Sequence, residues 1–220
     1  MKTKIIFCSI VLLLSAFVGS VYGAFEGTMD TFYGTGAGHS TTGDNKDDTF
    51  IGAGAGYSNT TGYGNTFLGF GAGFFNTTGY QNALLGYGAG YSNTGGYSNT
   101  FVGPGAGYSN TTGYENTFLG GAAGWYNTTG YHNTILGPAA GWTNTTGNNN
   151  TFLGSAAGFY TTGSGNVFLG YTAGQNETGS NKLYIDNSDT STPLIYGEFD
   201  NRNLTINGNL EVIGPYQGLV

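Results

Sequence analysis

The chain has 220 residues, of which 43 are glycine and only 8% are charged, and its formal net charge is −7. Five basic residues cannot supply the cationic surface that nucleic acids bind, so we expect no nucleic-acid partner. Low charge and abundant glycine also occur in disordered tracts, but Phe, Leu and Ala recur here at a fixed spacing, which argues against disorder.

Residues 1–23 are typical of an export signal. Two lysines precede an apolar run over 5–18, and a small residue precedes the expected cleavage before Ala24. The run is shorter than the ~20 residues that a spanning helix needs, and no later segment qualifies, so we expect no membrane span after cleavage. The protein would then be secreted or held at the cell surface, without its only cysteine, Cys8.

Residues 24–48 are expected to form an N-terminal cap and a first, irregular coil. They contain three neighbouring carboxylates, Asp44, Asp47 and Asp48, which could offer oxygen ligands to a hard cation such as calcium. Their spacing matches no standard calcium loop, so a solvated acidic loop is the preferred interpretation. No other metal, cofactor or catalytic residue is indicated, and we expect no enzyme.

One 17-residue unit recurs through residues 49–176. It consists of Asn-Thr-Phe-Leu-Gly, two variable residues, Ala-Gly-aromatic, a variable residue, Asn-Thr-Thr-Gly-Tyr and a last variable residue. The glycine after the apolar pair marks the copies, at Gly52, Gly69, Gly86, Gly103, Gly120, Gly137 and Gly154. So short and strict a period is typical of a stack of equivalent units, not of a fold built around one pocket.

The residue types predict the structure of each unit. Thr-Phe-Leu favours a strand, Gly-Ala-Gly-aromatic a bend and a second short strand, and Asn-Thr-Thr-Gly-Tyr a tight turn. Stacking such units lets each coil bond its backbone to the coils above and below. We therefore predict an all-β fold, a parallel β-solenoid or β-roll of 17-residue coils.

Equivalent residues of successive coils should form ladders along the axis. Stacked amides can bond one another, and we assign them a structural role. One predicted amide ladder comprises Asn65, Asn82, Asn99, Asn116, Asn133, Asn150 and Asn166, and a second runs from Asn59 to Asn144. The predicted apolar ladders include Phe67, Leu68, Phe101, Phe118, Leu119, Phe152 and Leu153.

The adjacent apolar residues Phe67 and Leu68 must point to opposite faces of their strand. One of them lies inside its own coil, and the other needs cover from elsewhere. We therefore expect self-association, as a homo-oligomer that is most simply a homotrimer, or as a polymer.

Two aromatic columns are also expected. One follows Ala-Gly and runs from Tyr57 to Phe159; the other comprises Tyr63, Tyr80, Tyr97, Tyr114 and Tyr131. Packing is the commoner role of such rings. If the second column faces water, it would suit a glycan or another surface ligand.

The succession Gly-Ala-Gly-Tyr-Ser-Asn-Thr-Thr-Gly-Tyr-Xaa-Asn-Thr-Phe-Leu-Gly, over about residues 31–176, resembles the head repeats of secreted bacterial and phage-tail-fibre-like proteins. More distantly it is similar to the YadA-like heads of trimeric autotransporter adhesins. The resemblance implies a trimer of left-handed β-rolls that stands off the cell and binds host or environmental surfaces.

Residues 177–220 predict a small C-terminal β cap or connector. Strands are expected near 183–185, 194–199, 204–206 and 210–213, separated by turn residues. Such a cap would cover the open edge of the last coil.

Three functions remain open. The leading one is a secreted surface or fibre protein whose rod-like head mediates adhesion, and the second is a subunit of an extracellular filament or matrix. The third is ice binding by a ladder of threonines, at Thr66, Thr100, Thr117, Thr134 and Thr151.

Overall fold

The computed structural model describes residues 30–42 and 47–211, and all regular structure in that part is β. The predicted signal, residues 1–23, and Asp44 lie outside the described residues. Nine three-residue strands come first: β1 (Thr31–Tyr33), β2 (Thr49–Ile51), β3 (Thr66–Leu68), β4 (Ala83–Leu85), β5 (Thr100–Val102), β6 (Thr117–Leu119), β7 (Thr134–Leu136), β8 (Thr151–Leu153) and β9 (Val167–Leu169). Three four-residue strands follow: β10 (Lys182–Ile185), β11 (Ile195–Glu198) and β12 (Asn203–Ile206).

All 12 strands belong to one sheet whose order is the order of the chain. From β1 to β10 the pairing is parallel, and each strand meets the next with like residues opposite, as Phe50 meets Phe67. Each coil therefore bonds only to its neighbours along the chain. The predicted parallel β-solenoid is confirmed, with about nine coils of about 17 residues.

The middle residue of each strand fills the coil interior. Phe67 and Phe118 are fully buried, and in two coils Leu84 and Ile135 take the same place. The rings stack along the axis, with 4.7 Å between the centroids of Phe101 and Phe118. The alanine of Ala-Gly is also fully buried in the second to ninth coils, so Phe and Ala are the apolar core of a very thin coil.

The expected second strand is not present, and this part of the prediction was wrong. After β3 the chain turns through Gly69, Gly71 and Gly73, whose φ angles are 136°, 62° and 57°. Extended strands require negative φ. A Cβ on Gly73 would also overlap the ring of Phe67, so glycine there lets the backbone close tightly over the core.

Two ladders of buried asparagines hold the rest of the coil together. In the first, the Asn82 side-chain amide donates to Asn65 Oδ1 at 3.1 Å and to the Gly96 carbonyl at 2.8 Å. In the second, the Asn76 amide donates to Asn59 Oδ1 at 2.7 Å. In both ladders the amide-to-amide bonds run toward the preceding coil, as far as Asn133 in the first and Asn127 in the second. Beyond them the first ladder continues through backbone N–H donors, whereas Asn127 Oδ1 and Asn144 Oδ1 in the second are buried without a partner. Buried polar groups satisfied in this way add both stability and a fixed register.

The C-terminal segment extends the sheet. β10 pairs with β9 and so covers the edge of the last coil, while β11 and β12 continue in antiparallel fashion. Among the described residues β12 has one strand neighbour, and all four of its residues are exposed, so it presents a new edge. The fourth expected strand begins at Leu210 and Glu211, which are not in a strand, and its remainder lies outside the described residues.

Candidate interaction surfaces

The last residue of each solenoid strand points outward. Leu68, Leu119 and Leu153, predicted as ladder residues, are 46–47% exposed, whereas the phenylalanines beside them are fully buried. The interior of the coil is thus formed by Phe, and the uncovered apolar face is formed by Leu.

This outward series continues into the C-terminal strands. In register, Leu169 of β9 lies beside Ile185, which lies beside Ile195, which lies beside Ile206. We call the whole series the outer apolar column: Tyr33, Ile51, Leu68, Leu85, Val102, Leu119, Leu136, Leu153, Leu169, Ile185, Ile195 and Ile206. It passes through all 12 strands without a polar residue other than the Tyr33 hydroxyl.

The other face of the C-terminal strands is polar. Lys182 Nζ lies 2.8 Å from Glu198 Oε1, and the Tyr196 hydroxyl donates to the same oxygen at 2.8 Å. The hydrogen bond from Lys182 is the largest of the contacts that lower the pKa of Glu198 to about 2. Glu198 in turn raises the pKa of Lys182. The three strands are therefore amphipathic, with ionic pairing opposite the outer apolar column.

A second outward column consists of threonine. Thr66, Thr117 and Thr151 are exposed two residues before members of the outer apolar column, on the same face. Ala83 and Val167 interrupt the series. The result is a mixed hydroxyl and aliphatic face, not a pair of threonine columns.

The five tyrosines proposed as a surface ligand site form a continuous stack. Centroids of successive rings lie 4.8–5.0 Å apart, with interplanar angles of 2–7°. Partial desolvation, and then the neighbouring Tyr114 and Tyr80, raise the pKa of Tyr97. In Tyr80, Tyr97 and Tyr114 both ring faces are covered by other tyrosines, so only ring edges and hydroxyls meet solvent. Sugars stack on ring faces, so this column does not offer a stacking platform along its length.

The other aromatic column runs without a break from His39 to Phe159. Its rings are parallel, with 4.5 Å between the Tyr108 and Trp125 centroids and 5.4 Å between Trp125 and Trp142. Five of its rings lie against the second glycine of the turn in the preceding coil, as Trp125 lies against Gly105. These contacts give the column a packing role.

The three candidate metal ligands do not form one loop site. Asp47 is exposed, whereas Asp48 is fully buried, contrary to the expected solvated loop. Asp48 occupies the rung below Asn65 in the first ladder, and its Oδ1 accepts the Asn65 N–H at 2.7 Å. Its Oδ2 accepts the Asn59 amide at 2.9 Å. Within the described residues no group of three His, Cys, Asp or Glu could hold a metal ion.

The variable last position of the repeat forms an outward row in a left-handed backbone conformation. Gln81, Ser98, Glu115 and His132 there have φ angles of 53–55°. On successive rungs Glu115 Oε2 lies 2.6 Å from His132 Nε2, and both side chains are about half exposed. This pair is a surface contact.

One cleft of about 320 Å³ lies where the solenoid meets the C-terminal strands. There the Tyr184 hydroxyl donates to Glu177 at 2.9 Å, and the Asn176 amide donates to both carboxylate oxygens of Asp189. Burial, followed by Glu177, raises the pKa of Tyr184. The carboxylates are already bonded by neighbouring donors, so the cleft has the character of a structural junction. Only its cluster of Asn, Asp and Glu marked this junction in the sequence.

Comparison with known proteins gives no match: no protein-family model, curated protein or solved structure is significantly similar to the chain. Over residues 30–42 and 47–211, no helix is long and apolar enough to cross a bilayer.

Proposed function

We propose that this chain is a secreted, non-enzymatic surface or fibre protein whose solenoid acts as an adhesive rod. The observation that carries the proposal is the outer face of the sheet, which is uncharged, repetitive and only half covered. An exposed apolar stripe of this length is typical of a surface that makes contacts. The leader-like N-terminus supports release from the cell.

Adhesion is tested by incubating the purified chain with octadecyl silica beads and with unmodified agarose beads. The fraction of the protein that each kind of bead retains is then measured. We expect retention on the apolar beads and a loss of at least several-fold in Leu119→Asp. Thr112→Asp adds the same charge at an exposed turn position and serves as control. Equal retention of both variants would refute adhesion through the outer face. Secretion is tested separately, by recovering a mature chain that begins near Ala24 from the medium.

A filament subunit is the second candidate function, and the exposed strand β12 supports it. Within the described residues, β1 and β12 each have one strand neighbour, so both ends of the sheet offer unpaired backbone groups. Electron micrographs of the secreted protein separate the two candidates, because discrete rods contradict a filament. Ice binding has weaker support, since the threonine column lies beside leucine, and a lack of thermal hysteresis would eliminate it.

A further inference from the structure

The outer apolar column and the threonine column beside it form an uncharged face along the sheet. We propose that two copies of this chain pair through this face, sheet against sheet. Pairing would bury the same face through which the proposed adhesion acts, so the two contacts compete, and the mass of the free protein distinguishes them.

The extent of the face is the first argument. Twelve strands about 4.8 Å apart give a length of about 50 Å, and three residues of strand give a width of about 10 Å. The face, with its apolar and threonine columns together, thus covers about 500 Å². Pairing two such faces removes about 1,000 Å² from water, the size at which specific interfaces begin.

The continuity of the face through β10, β11 and β12 is the second argument. Leu183 and Ile185 share the outward face of β10, and Leu204 and Ile206 share that of β12. Strands β11 and β12 form an antiparallel ribbon beyond the solenoid core, and an isolated two-stranded ribbon is marginal in water. Leu204 is nevertheless 63% exposed, so the ribbon gains from a partner that covers it. We infer that the C-terminal strands belong to the pairing face.

The identity of the partner follows from charge and spacing. None of the outward residues of the 12 strands is charged, so electrostatic complementarity cannot select a different protein. A second copy presents apolar side chains at the same rung spacing, and each leucine then meets the same surroundings at every rung. Two sheets packed in this way lie about 10 Å apart, as in sandwich proteins.

The mass of the purified full-length chain in solution, measured by light scattering at tens of micromolar, tests this proposal. We expect twice the chain mass for the parent and for Thr112→Asp, and the single mass for Leu119→Asp. Leu153→Gln, which adds no charge, should weaken pairing by at least several-fold. Circular dichroism checks that the variants keep the β signal of the parent.

Three results would overturn the pairing. One is a parent of single mass, even if it binds apolar beads, because the face would then serve adhesion alone. Another is three times the chain mass, which the sequence favours. Each copy in a closed trimer contacts its two neighbours through two different surfaces, whereas the proposed pairing uses one face. The last is a Leu119→Asp variant that keeps the parent's mass, which would place the contact elsewhere, including in the N-terminal leader.

Discussion

The carboxylate of Asp48 accepts the side-chain amide of Asn59 at 2.9 Å, across 11 residues of chain. Its second oxygen accepts the backbone N–H of Asn65. Asn59 and Asn65 each begin one of the two buried amide ladders. One buried carboxylate therefore accepts a hydrogen bond from the first asparagine of each ladder, at the coil where the regular repeat begins.

Asp48→Asn should destabilise the solenoid, although asparagine is the repeat's own residue at this position. The new amide can donate to the Gly62 carbonyl, as the Asn65 amide does to Gly79, but Asn59 would lose the acceptor of one of its buried amide hydrogens. An unsatisfied buried group costs about 1–3 kcal/mol. Urea unfolding followed by circular dichroism measures the change, and Asp47→Asn, at an exposed site, should alter it by less than ~0.5 kcal/mol.

Phe118→Ala and Leu119→Ala should differ strongly, although the two residues are adjacent. Phe118 is fully buried, and truncating a buried phenylalanine costs about 3–5 kcal/mol. Leu119 is 47% exposed, so the same change should cost less than half as much in the isolated chain. Thermal unfolding at low micromolar concentration compares them. Equal losses would mean that the inside of the coil is wrongly assigned.

Asn99→Ala tests the first amide ladder. Asn99 donates to Asn82 Oδ1 and to the Gly113 carbonyl, and its Oδ1 accepts the backbone N–H and amide of Asn116. Loss of all four bonds in a buried site should cost several kcal/mol, at about 1–3 for each group left unsatisfied. Denaturant midpoints measure the loss. Thr112→Ala should be nearly neutral, and a neutral Asn99→Ala would deny the ladder a role in stability.

Gly107→Ala should be harmful and Gly95→Thr tolerated. Gly107 has φ of 57°, and a Cβ there would overlap the buried Phe101 ring, so both backbone and packing oppose a side chain. The left-handed backbone conformation alone costs a residue with a Cβ about 1–2 kcal/mol. Gly95 lies where other repeats carry threonine, and the nearest atom to a Cβ there is the hydroxyl of Thr78, an exposed side chain that can move aside. Paired melting curves and Trp fluorescence check the expectation, and similar melting points for the two variants would contradict it.

The Lys182–Glu198 pair should make the C-terminal strands sensitive to acid. The pKa of Glu198 falls from 4.5 to about 2, so its stabilising effect is present above pH 4.5 and is lost as the pH falls toward 2. Amide hydrogen exchange in β11 should show faster opening at pH 2.5 than at pH 5. Glu198→Gln should remove the part of this change due to the pair, and added salt should reduce it. An unchanged profile in the variant would assign the effect to other carboxylates.

Much of the solenoid could be predicted because the repeat encodes it locally. Thr-Phe-Leu fixed each strand, and alternation placed Phe67 and Leu68 on opposite faces. The missing second strand could not be foreseen, because Ala122, Ala139 and Ala156 take the left-handed φ that sequence rules reserve for glycine. The role of Asp48 was missed, although the repeat carried the signal, since Asp48 stands four residues before Gly52, where later copies have asparagine. Only the structure shows that its carboxylate is buried and accepts from Asn59 and Asn65.

The strands follow one another along the sheet in the order of the chain, so the number of repeat units sets the length of the rod. A duplication of one complete unit would lengthen the rod by a single step of about 4.8 Å while leaving its two ends chemically unchanged. Deletion would shorten it by the same increment. The length of the rod is therefore set by the number of units in the gene. Recombination between units can change that number without altering any contact within a coil.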